Sequence, residues 1–511
     1  MNGTAAALER SFLGRYFGFA DHGTNIARDT LAGATTFVVM AYIIFVNPTI
    51  LSFIGIEGLE ERGLPFQAVL ASTCVVAGTM SILMGLVTNK AFAIAPGMGL
   101  NAVVAFGLVA TAGLSFPEAM GIVVMEGALV LLFVLTGLRE KVMRAIPLEL
   151  KKAIAIGIGL FIAFIGLFNS GIVAKAEAPG VPVELGDFTS WPVLVTLFGI
   201  VFTLALRARG FRGDLLVGII GTTVFATLVN WATNYEAFQI PGVARWPDQI
   251  VSTPDLSLIG DFSFGSFATL GIVATLVWVF ALFLADFFDT MGTVVGVGKA
   301  AGYVRPDGEV PGLRRLLVVD SLGAIAGGAA SSSSATTYIE SGAGVAAGGR
   351  TGWASVVTGA LFFPFLFFAP LIGMVPPHAT AAALIVVGWL MISTLTEGEE
   401  EAEPGVVPAG TTDRDAAVAA SASTGGTLLP RKFAGIDFHD VAIGVAAALT
   451  IMVMPFTYSI TNGIGFGFIA YVLIRLAQGR GREVHPFMYA AAGAFVVFFL
   501  VPLLQQTFGW I

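Results

Sequence analysis

The sequence contains few charged residues for its size. Asp, Glu, Lys and Arg make up 12% of the 511 residues, whereas about 25% is usual in a soluble domain. Hydrophobic residues account for 56%, and the mean hydropathy is +0.87. Apolar stretches recur along the chain at about the 20 residues that a transmembrane helix needs, and they are too long for the strands of about 10 residues in a membrane barrel. The composition therefore predicts an all-α, multi-pass membrane protein rather than a soluble one.

Cysteine and histidine are also scarce. Cys74 is the single cysteine, so no disulfide framework can form. The four histidines fall near predicted membrane ends without a partner at metal-ligand spacing, which argues against an intramembrane metal enzyme. The four-serine run 331–334 has no histidine at a plausible depth to serve as its base, which argues against a serine hydrolase. We expect no enzymatic activity, no metal and no cofactor, and the net charge of −8 does not point to nucleic acid.

The apolar runs outline the transmembrane segments, and two of them are poor continuous helices. Run 92–110 contains Pro96, Gly97, Gly99 and Asn101, and run 330–348 opens with the serine run and holds Glu340. The candidate runs are 29–53, 66–88, 92–110, 117–137, 150–170, 191–207, 213–231, 267–291, 313–329, 330–348, 351–373, 378–396, 438–456, 460–478 and 486–507.

The distribution of basic residues predicts the orientation of these runs. With a cytoplasmic N-terminus and regular alternation, all but Arg62, Lys175 and Arg245 of the 26 Lys and Arg residues lie inside, as the positive-inside bias requires. The alternation holds only if both broken runs cross the membrane.

The first seven runs and the next seven then have opposite orientations, and the third of each set is the broken one. Such inverted repeats are typical of secondary transporters with a site near the midplane. Run 486–507 does not fit this scheme and is either an extra helix, an interfacial helix or a wrongly divided span.

Three acids at membrane depth are the first candidates for function. Asp286 and Asp289 are spaced i, i+3 near the end of the eighth run, and Glu340 lies in the tenth. Burying a carboxyl group in a bilayer is costly, so each marks a functional site unless it only bonds nearby backbone or reaches water. The small hydroxyl residues before Glu340 can satisfy the backbone of an unwound stretch, or they can simply allow close packing.

Three further polar residues stay open to two interpretations. Asn101 can donate to and accept from a heterocycle, or it can cap the helix after the Pro-Gly turn. Glu126 and Asp320 fall inside predicted spans, where they either take part in function or pair with hydroxyl and backbone groups.

Four motifs resemble those of the AzgA-like adenine/guanine/hypoxanthine permeases, a branch of nucleobase–cation symporter family 2 in the xanthine/uracil permease superfamily. They are APGMGLNAVVAF (95–106), ADFFDTMGTVVGVGKAAG (285–302), SATTYIESGAGVAAGGRTG (334–352) and MPFTYSITNGIGFGFIAYV (454–472). The resemblance runs in order through most of the chain, except for the N-terminal tail and the acidic insert 397–432.

The resemblance implies a fold of 14 transmembrane segments in two inverted 7-segment repeats, with short strands in broken segments 3 and 10. The expected divisions are a cytoplasmic tail (1–28), a core domain (29–137 and 267–373), a gate domain (138–231 and 374–511), an extracellular connector (232–266) and, inside the gate, a flexible cytoplasmic loop (397–432).

The resemblance also implies proton-coupled import of purine bases across the cell (inner) membrane, with sodium as an open alternative and a homodimer as a possible assembly. Asn101, Asp286 and Glu340 match binding positions, and Asp289 matches an accessory acid. We expect Glu340 and Asp286 to grip the base and one acid to carry the proton. The expected site residues are, for the substrate, Asn101, Asp286, Glu340, Phe288, Phe92, Thr337 and Ile339, with Phe92 or Phe288 stacking on the ring, and, for proton coupling, Asp286, Glu340 and Asp289.

Two other transport functions remain as alternatives. An anion exchanger can share the architecture, although two acids are a poor lining for an anion site. A channel can use broken segments as a filter.

Overall fold

The computed structural model describes residues 12–56, 58–137, 145–176, 181–303, 310–396 and 436–508. The predicted loop 397–432 and the first eleven residues of the predicted tail lie outside these ranges. In the described part, eight helices are long and apolar enough to cross a membrane, and shorter apolar helices account for most other predicted segments. The prediction of an all-α, multi-pass membrane protein is confirmed.

The helices and strands follow the predicted order. The described α-helices are α1 (Phe12–Phe17), α2 (Ile26–Met40), α3 (Ile43–Leu51), α4 (Phe66–Thr88), α5 (Met98–Ala102), α6 (Phe116–Thr136), α7 (Leu148–Asn169), α8 (Trp191–Ala208), α9 (Asp214–Ala232), α10 (Ser266–Thr269), α11 (Ile272–Ala300), α12 (Leu313–Ala329), α13 (Ser341–Ala346), α14 (Gly352–Ala360), α15 (Ala369–Gly373), α16 (Pro377–Thr396), α17 (Val441–Phe456), α18 (Ile460–Ala477) and α19 (Pro486–Phe508). The strands are β1 (Ile94–Pro96), β2 (Val173–Lys175), β3 (Val183–Leu185) and β4 (Ala335–Thr337), a π-helix spans Val103–Thr111, and 3-10 turns span Glu60–Arg62, Phe363–Phe367 and Gly481–Glu483.

Local sequence signals set the ends of several long helices. Helix α6 begins with a capping box, in which the Ser115 backbone N–H donates to Glu118 Oε2 over 2.9 Å. It ends at Gly137, whose φ of +72° is the left-handed conformation that favours glycine. Helix α4 ends similarly at Asn89, with a φ of +50°.

Segments 3 and 10 meet in the middle of the protein as two short antiparallel strands. Ile94 of β1 lies opposite Thr337 of β4, and Pro96 lies opposite Ala335. The Gly97 N–H donates to the Ser334 carbonyl over 2.9 Å, which extends the pairing. The backbone groups that each broken helix releases are therefore satisfied by the other broken segment, as membrane depth requires. The expected strands in segments 3 and 10 are confirmed.

The remaining helices contact one another in two groups. In one group α7 packs on α16, α8 and α9 pack on α16, and α17 and α18 pack on α7. Helices of the first half, α7 to α9, thus pack on helices of the second half, α16 to α18, which is the arrangement that two inverted repeats produce. In the other group, α4 packs on α12 and α14, and α6 packs on α11 and α12, around the strand pair. The exact core and gate boundaries stay predictions.

The fifteenth apolar run forms helix α19, which packs on α11 and α18. The Phe498 ring lies 6.0 Å from Trp278 on α11, and the Phe495 ring lies 6.1 Å from Phe468 on α18. Gly465 permits this approach, because a Cβ there would lie 2.8 Å from the Phe495 ring. This helix therefore links one helix of each group.

Two features differ from the predicted segments. The first run is not one helix but two, α2 and α3, separated at Ala41 and Tyr42. The loop after α7 contains the β2–β3 hairpin, in which Val173 pairs with Leu185. Each of these strands has only three residues, too few for an alternating pattern to be recognised in the sequence.

Candidate functional site

A cavity of about 70 Å³ lies where the two broken segments cross. A water needs about 10–15 Å³ of such space, so the cavity can admit several waters or part of a small ligand. Its walls come from both groups of helices, because Ile158 of α7 and Val387 of α16 face residues of segments 1, 3, 8 and 10. The lining residues are Tyr42, Gly97, Met98, Gly99, Leu100, Ile158, Ala285, Asp289, Thr293, Thr337, Tyr338, Ile339, Glu340, Val387 and Met391.

Helix α11 contributes an acid to the cavity, and that acid is Asp289. Ala285, Asp289 and Thr293 follow one another at i, i+4 spacing and all line the cavity. Asp286 is fully buried and is not part of the lining. Two residues three positions apart point about 60° apart around a helix axis, and here the side chain of Asp289 lines the cavity whereas that of Asp286 does not. The structure therefore places Asp289, and not Asp286, in the cavity with Glu340, and substrate binding by Asp286 stays a prediction.

Glu340 lies at the cavity directly before α13, where the unwound part of segment 10 ends. Its carboxyl oxygen Oε1 accepts a hydrogen bond of 2.5 Å from the hydroxyl of Tyr42. Asp289 and Glu340 are within electrostatic range of each other. No basic residue occurs among the lining residues of this cavity. The lining thus contains two acids and no basic residue.

Asp320 supports the strand that carries Thr337 to the cavity. Its Oδ1 accepts from the Thr337 backbone N–H over 2.9 Å and from the Thr337 hydroxyl over 2.7 Å. Its Oδ2 accepts from the Thr290 hydroxyl over 2.8 Å, and Thr290 in turn bonds to Thr336 over 2.7 Å. Asp320 is buried, and its contacts show pairing with hydroxyl and backbone groups, one of the two readings left open by the sequence.

Glu126 and Asp286 lie close to each other, and neither lines the cavity. Glu126 is fully buried and accepts from the Ser334 hydroxyl over 3.2 Å. It lies within hydrogen-bonding range of Asp286 and within electrostatic range of Asp320. We call Glu126, Asp286 and Asp320 the rear acid cluster. All three acids of this cluster were predicted or suspected from depth alone, and none of them lines the cavity.

Asn101 is fully buried on α5, next to the lining residues Gly97–Leu100. Neither its amide oxygen nor its amide nitrogen has a hydrogen-bond partner among the described residues. Its role as a helix cap is wrong, because Gly97 occupies the N-cap and no side chain caps this helix. A buried amide without a partner is costly, which leaves Asn101 available to water or a ligand.

The aromatic residues that line the cavity are not the ones expected to stack on the ring. The Phe92 ring is buried away from the cavity, 6.0 Å from the Tyr303 ring, and the Phe288 side chain lies outside the described part. Tyr42 and Tyr338 are the aromatic lining residues. Thr337 and Ile339 line the cavity as expected. Tyr42 was missed, although a buried tyrosine hydroxyl within an apolar run signals a polar partner.

Below the cavity, Lys90 and Tyr303 join the predicted cytoplasmic ends of segments 3 and 8. The Lys90 ammonium lies 4.0 Å from the centre of the Tyr303 ring. The Tyr303 hydroxyl donates to the Arg350 carbonyl over 2.9 Å and accepts from the Ala91 N–H over 3.0 Å. Burial lowers the pKa of Lys90, and it raises the pKa of Tyr303 to about 12.

Comparison with known proteins identifies the family at this point. A family model described as "Permease family" (Xan_ur_permease) matches residues 28–400. The chain belongs to this permease family. The permease is 36% identical to the guanine/hypoxanthine permease PbuG of Bacillus subtilis over 95% of its own length and 98% of the relative's. It is 34% identical to the adenine permease AdeQ of Escherichia coli, over 96% of each chain. These relatives are transporters and not enzymes.

Solved structures show the same fold at low sequence identity. The transmembrane domain of the cyanobacterial bicarbonate transporter BicA matches the permease with a TM-score of 0.55 and 16% identity, over 84% of the permease and 96% of BicA. SLC26A9 matches with a TM-score of 0.56 and 11% identity, over 92% and 67% of the two chains. These transporters share the arrangement of seven plus seven inverted segments, and at such identity the likeness shows the fold alone.

Proposed function

We propose that this permease imports purine nucleobases together with protons through the cavity between segments 1, 3, 8 and 10. One observation carries the proposal. Asp289 and Glu340 share a small cavity that no basic residue lines, at the crossing of two broken segments and between two groups of helices. The relatives named as adenine and guanine/hypoxanthine permeases support the choice of purines as the substrate class.

The lining offers groups that match the edge of a purine. The base presents ring N–H groups or lone pairs beside an exocyclic oxo or amino group. A carboxylate accepts from such N–H groups, and a protonated acid donates to a ring nitrogen. Thr337 adds a hydroxyl near Glu340. Segment 3 adds the first backbone N–H groups of its helical half at Met98–Leu100, which have no partner within the helix. Asn101, directly after them, is the nearest buried amide.

We infer proton coupling from the two acids that line the cavity. A dry surrounding disfavours an ionised carboxyl group, and a second acid within electrostatic range disfavours it further. A proton taken up from outside lowers the negative charge of the occupied site by one unit before the site moves through the membrane. Release of that proton on the inside then frees the base. We assign this proton to the Asp289–Glu340 pair.

The two groups of helices provide the movement. Tyr42, Asp289 and Glu340 belong to the group around the strand pair, whereas Ile158 and Val387 belong to the other. Displacement of one group against the other would open the cavity to each side in turn. Assembly as a homodimer, which the family resemblance implies, stays a prediction that light scattering of the detergent-solubilised protein tests.

The test is uptake of radiolabelled hypoxanthine, guanine and adenine into proteoliposomes. We expect saturable accumulation that needs an acidic exterior and disappears with a protonophore. Accumulation driven by a sodium gradient instead would show that sodium, and not the proton, is the coupling ion, and the purine substrate class would stand. Transport of sulfate or bicarbonate, with no purine uptake, would establish the anion exchanger. Flux that equilibrates without accumulation would establish the channel.

A further inference from the structure

The hydroxyl of Tyr42 makes a short contact with Glu340. It lies 2.5 Å from Glu340 Oε1 and donates to it. The two residues are 298 positions apart in the sequence, in segments 1 and 10. Tyr42 is 1% exposed, so its hydroxyl has little access to water as an alternative partner.

The backbone around Tyr42 holds this hydroxyl in place. Tyr42 lies in the short break between α2 and α3, and the next two residues, Ile43 and Ile44, are fully buried. Helix α2 also packs on α13, the helix that starts directly after Glu340. Because both partners belong to the same group of packed helices, their contact can persist while the other group moves.

Glu340 and Asp289 differ in how they are held. Tyr42 donates to Glu340, whereas no hydroxyl or amide among the described residues donates to Asp289. A hydroxyl that donates to a carboxylate fixes its rotamer and leaves most of its lone pairs free. Glu340 is therefore oriented before a ligand arrives, and Asp289 is free to reorient.

We propose that Tyr42 is a positioning residue for purine binding, which orients the Glu340 carboxylate and thereby sets substrate affinity. This inference rests on the proposed function. The Tyr42 ring also lines the cavity beside Glu340. Glu340 is consequently the acid that recognises the substrate, and Asp289 is the acid that exchanges the proton.

The first experiment compares Tyr42→Phe with wild type in purine binding and uptake. The variant keeps the ring and loses only the hydroxyl. Because charge-assisted hydrogen bonds are the strong ones, we expect Kd and KM to rise about tenfold, with Vmax within about threefold of wild type. Tyr16→Phe is the matched control, since the Tyr16 hydroxyl donates to the Leu86 carbonyl over 2.7 Å and lies away from the cavity. KM in this control should equal the wild-type value.

Each outcome separates the two proposals. If wild-type protein binds no purine, the proposed function is wrong. If wild type binds and Tyr42→Phe binds equally well, only the positioning role is wrong. A roughly tenfold fall in Vmax with unchanged KM would also overturn the positioning role, because that pattern shows a structural defect.

A second experiment tests whether Tyr42 acts through Glu340. Glu340→Asp retains a carboxyl group that is one methylene too short to keep the contact. In this background, adding Tyr42→Phe should change Kd by less than about twofold, because residues in contact are not additive. A renewed loss of about tenfold would show that Tyr42 contacts the base by itself and would refute its action on Glu340.

Discussion

Asp286 and Asp289 lie three residues apart on α11, and their side chains lie in different surroundings. Asp289 lines the cavity opposite Glu340, whereas Asp286 is fully buried beside Glu126. This separation makes the two acids experimentally distinguishable.

Asp289→Asn and Asp286→Asn should therefore fail in different ways. We expect Asp289→Asn to lose proton-driven accumulation by at least about tenfold while purine exchange at equal pH continues, because the amide cannot exchange a proton. Asp286→Asn should chiefly lower thermal stability. Uptake assays with and without a pH gradient, combined with melting curves, distinguish them. Intact accumulation in Asp289→Asn would contradict the assignment of the proton.

Asp320→Ala should destabilise the strand pair. The change removes the acceptor of three hydrogen bonds, two from Thr337 and one from Thr290. Each buried donor left without a partner costs about 1–3 kcal/mol. Thr290→Val is the milder control, since it removes one of these bonds and leaves both bonds from Thr337. The free energy of unfolding in detergent, measured by denaturant titration, should fall much further in Asp320→Ala. Similar losses in the two variants would show that Asp320 does not anchor β4.

Gly327→Ala should impair folding, because a methyl group there has no space. The added Cβ would lie 2.0 Å from the Ser333 carbonyl oxygen, so α12 and the strand-bearing segment 10 would have to separate. Gly292→Ala is a matched helical control with no atom within 4 Å of the added Cβ. Alanine in a helix is favoured over glycine by about 1 kcal/mol, so this control should be neutral or stabilising. The yield of monodisperse protein and its melting temperature report the difference; equal yields would refute the close contact.

Phe495→Ala should loosen helix α19. The Phe495 ring is fully buried between α11 and α18, near Phe280 and Phe468. In lipid the loss comes from packing rather than from the hydrophobic effect, and we expect a fall of several degrees in melting temperature. Val497→Ala serves as the control, because Val497 is 44% exposed. An unchanged melting temperature in Phe495→Ala would show that α19 is not a structural part of the bundle.

Tyr303 should make stability fall at alkaline pH. Burial raises its pKa in the folded protein to about 12 from 10.0. A group with a raised folded pKa contributes its full stability below the unfolded pKa and loses it as pH rises to the folded value, a loss of about 3 kcal/mol for two units. Between pH 10.0 and about 12, wild type should therefore lose stability more steeply than Tyr303→Phe. Parallel curves for the two proteins would contradict this linkage.

Composition and charge alone predicted much of the fold. Scarce charge and long apolar runs indicated helical spans, and the basic residues oriented them so that two halves are inverted. The Pro-Gly turn before Asn101 and the hydroxyl run before Glu340 marked the broken segments. The sequence could not predict the strand register, the hairpin after α7 or the break at Tyr42. Three-residue strands and a two-residue break are too short to show a repeating hydrophobic pattern.

The sequence by itself determined that the chain crosses the membrane repeatedly and that segments 8 and 10 contain acids at membrane depth. These acids could be singled out from the sequence because an unpaired charge is costly in lipid, so a carboxyl group at that depth points to a function or a partner. Only the tertiary structure decided which acids face the cavity. That choice depends on the rotation of α11 about its axis and on the crossing of β1 and β4, which are set by packing between segments far apart in the chain. Tyr42 meets Glu340 for the same reason.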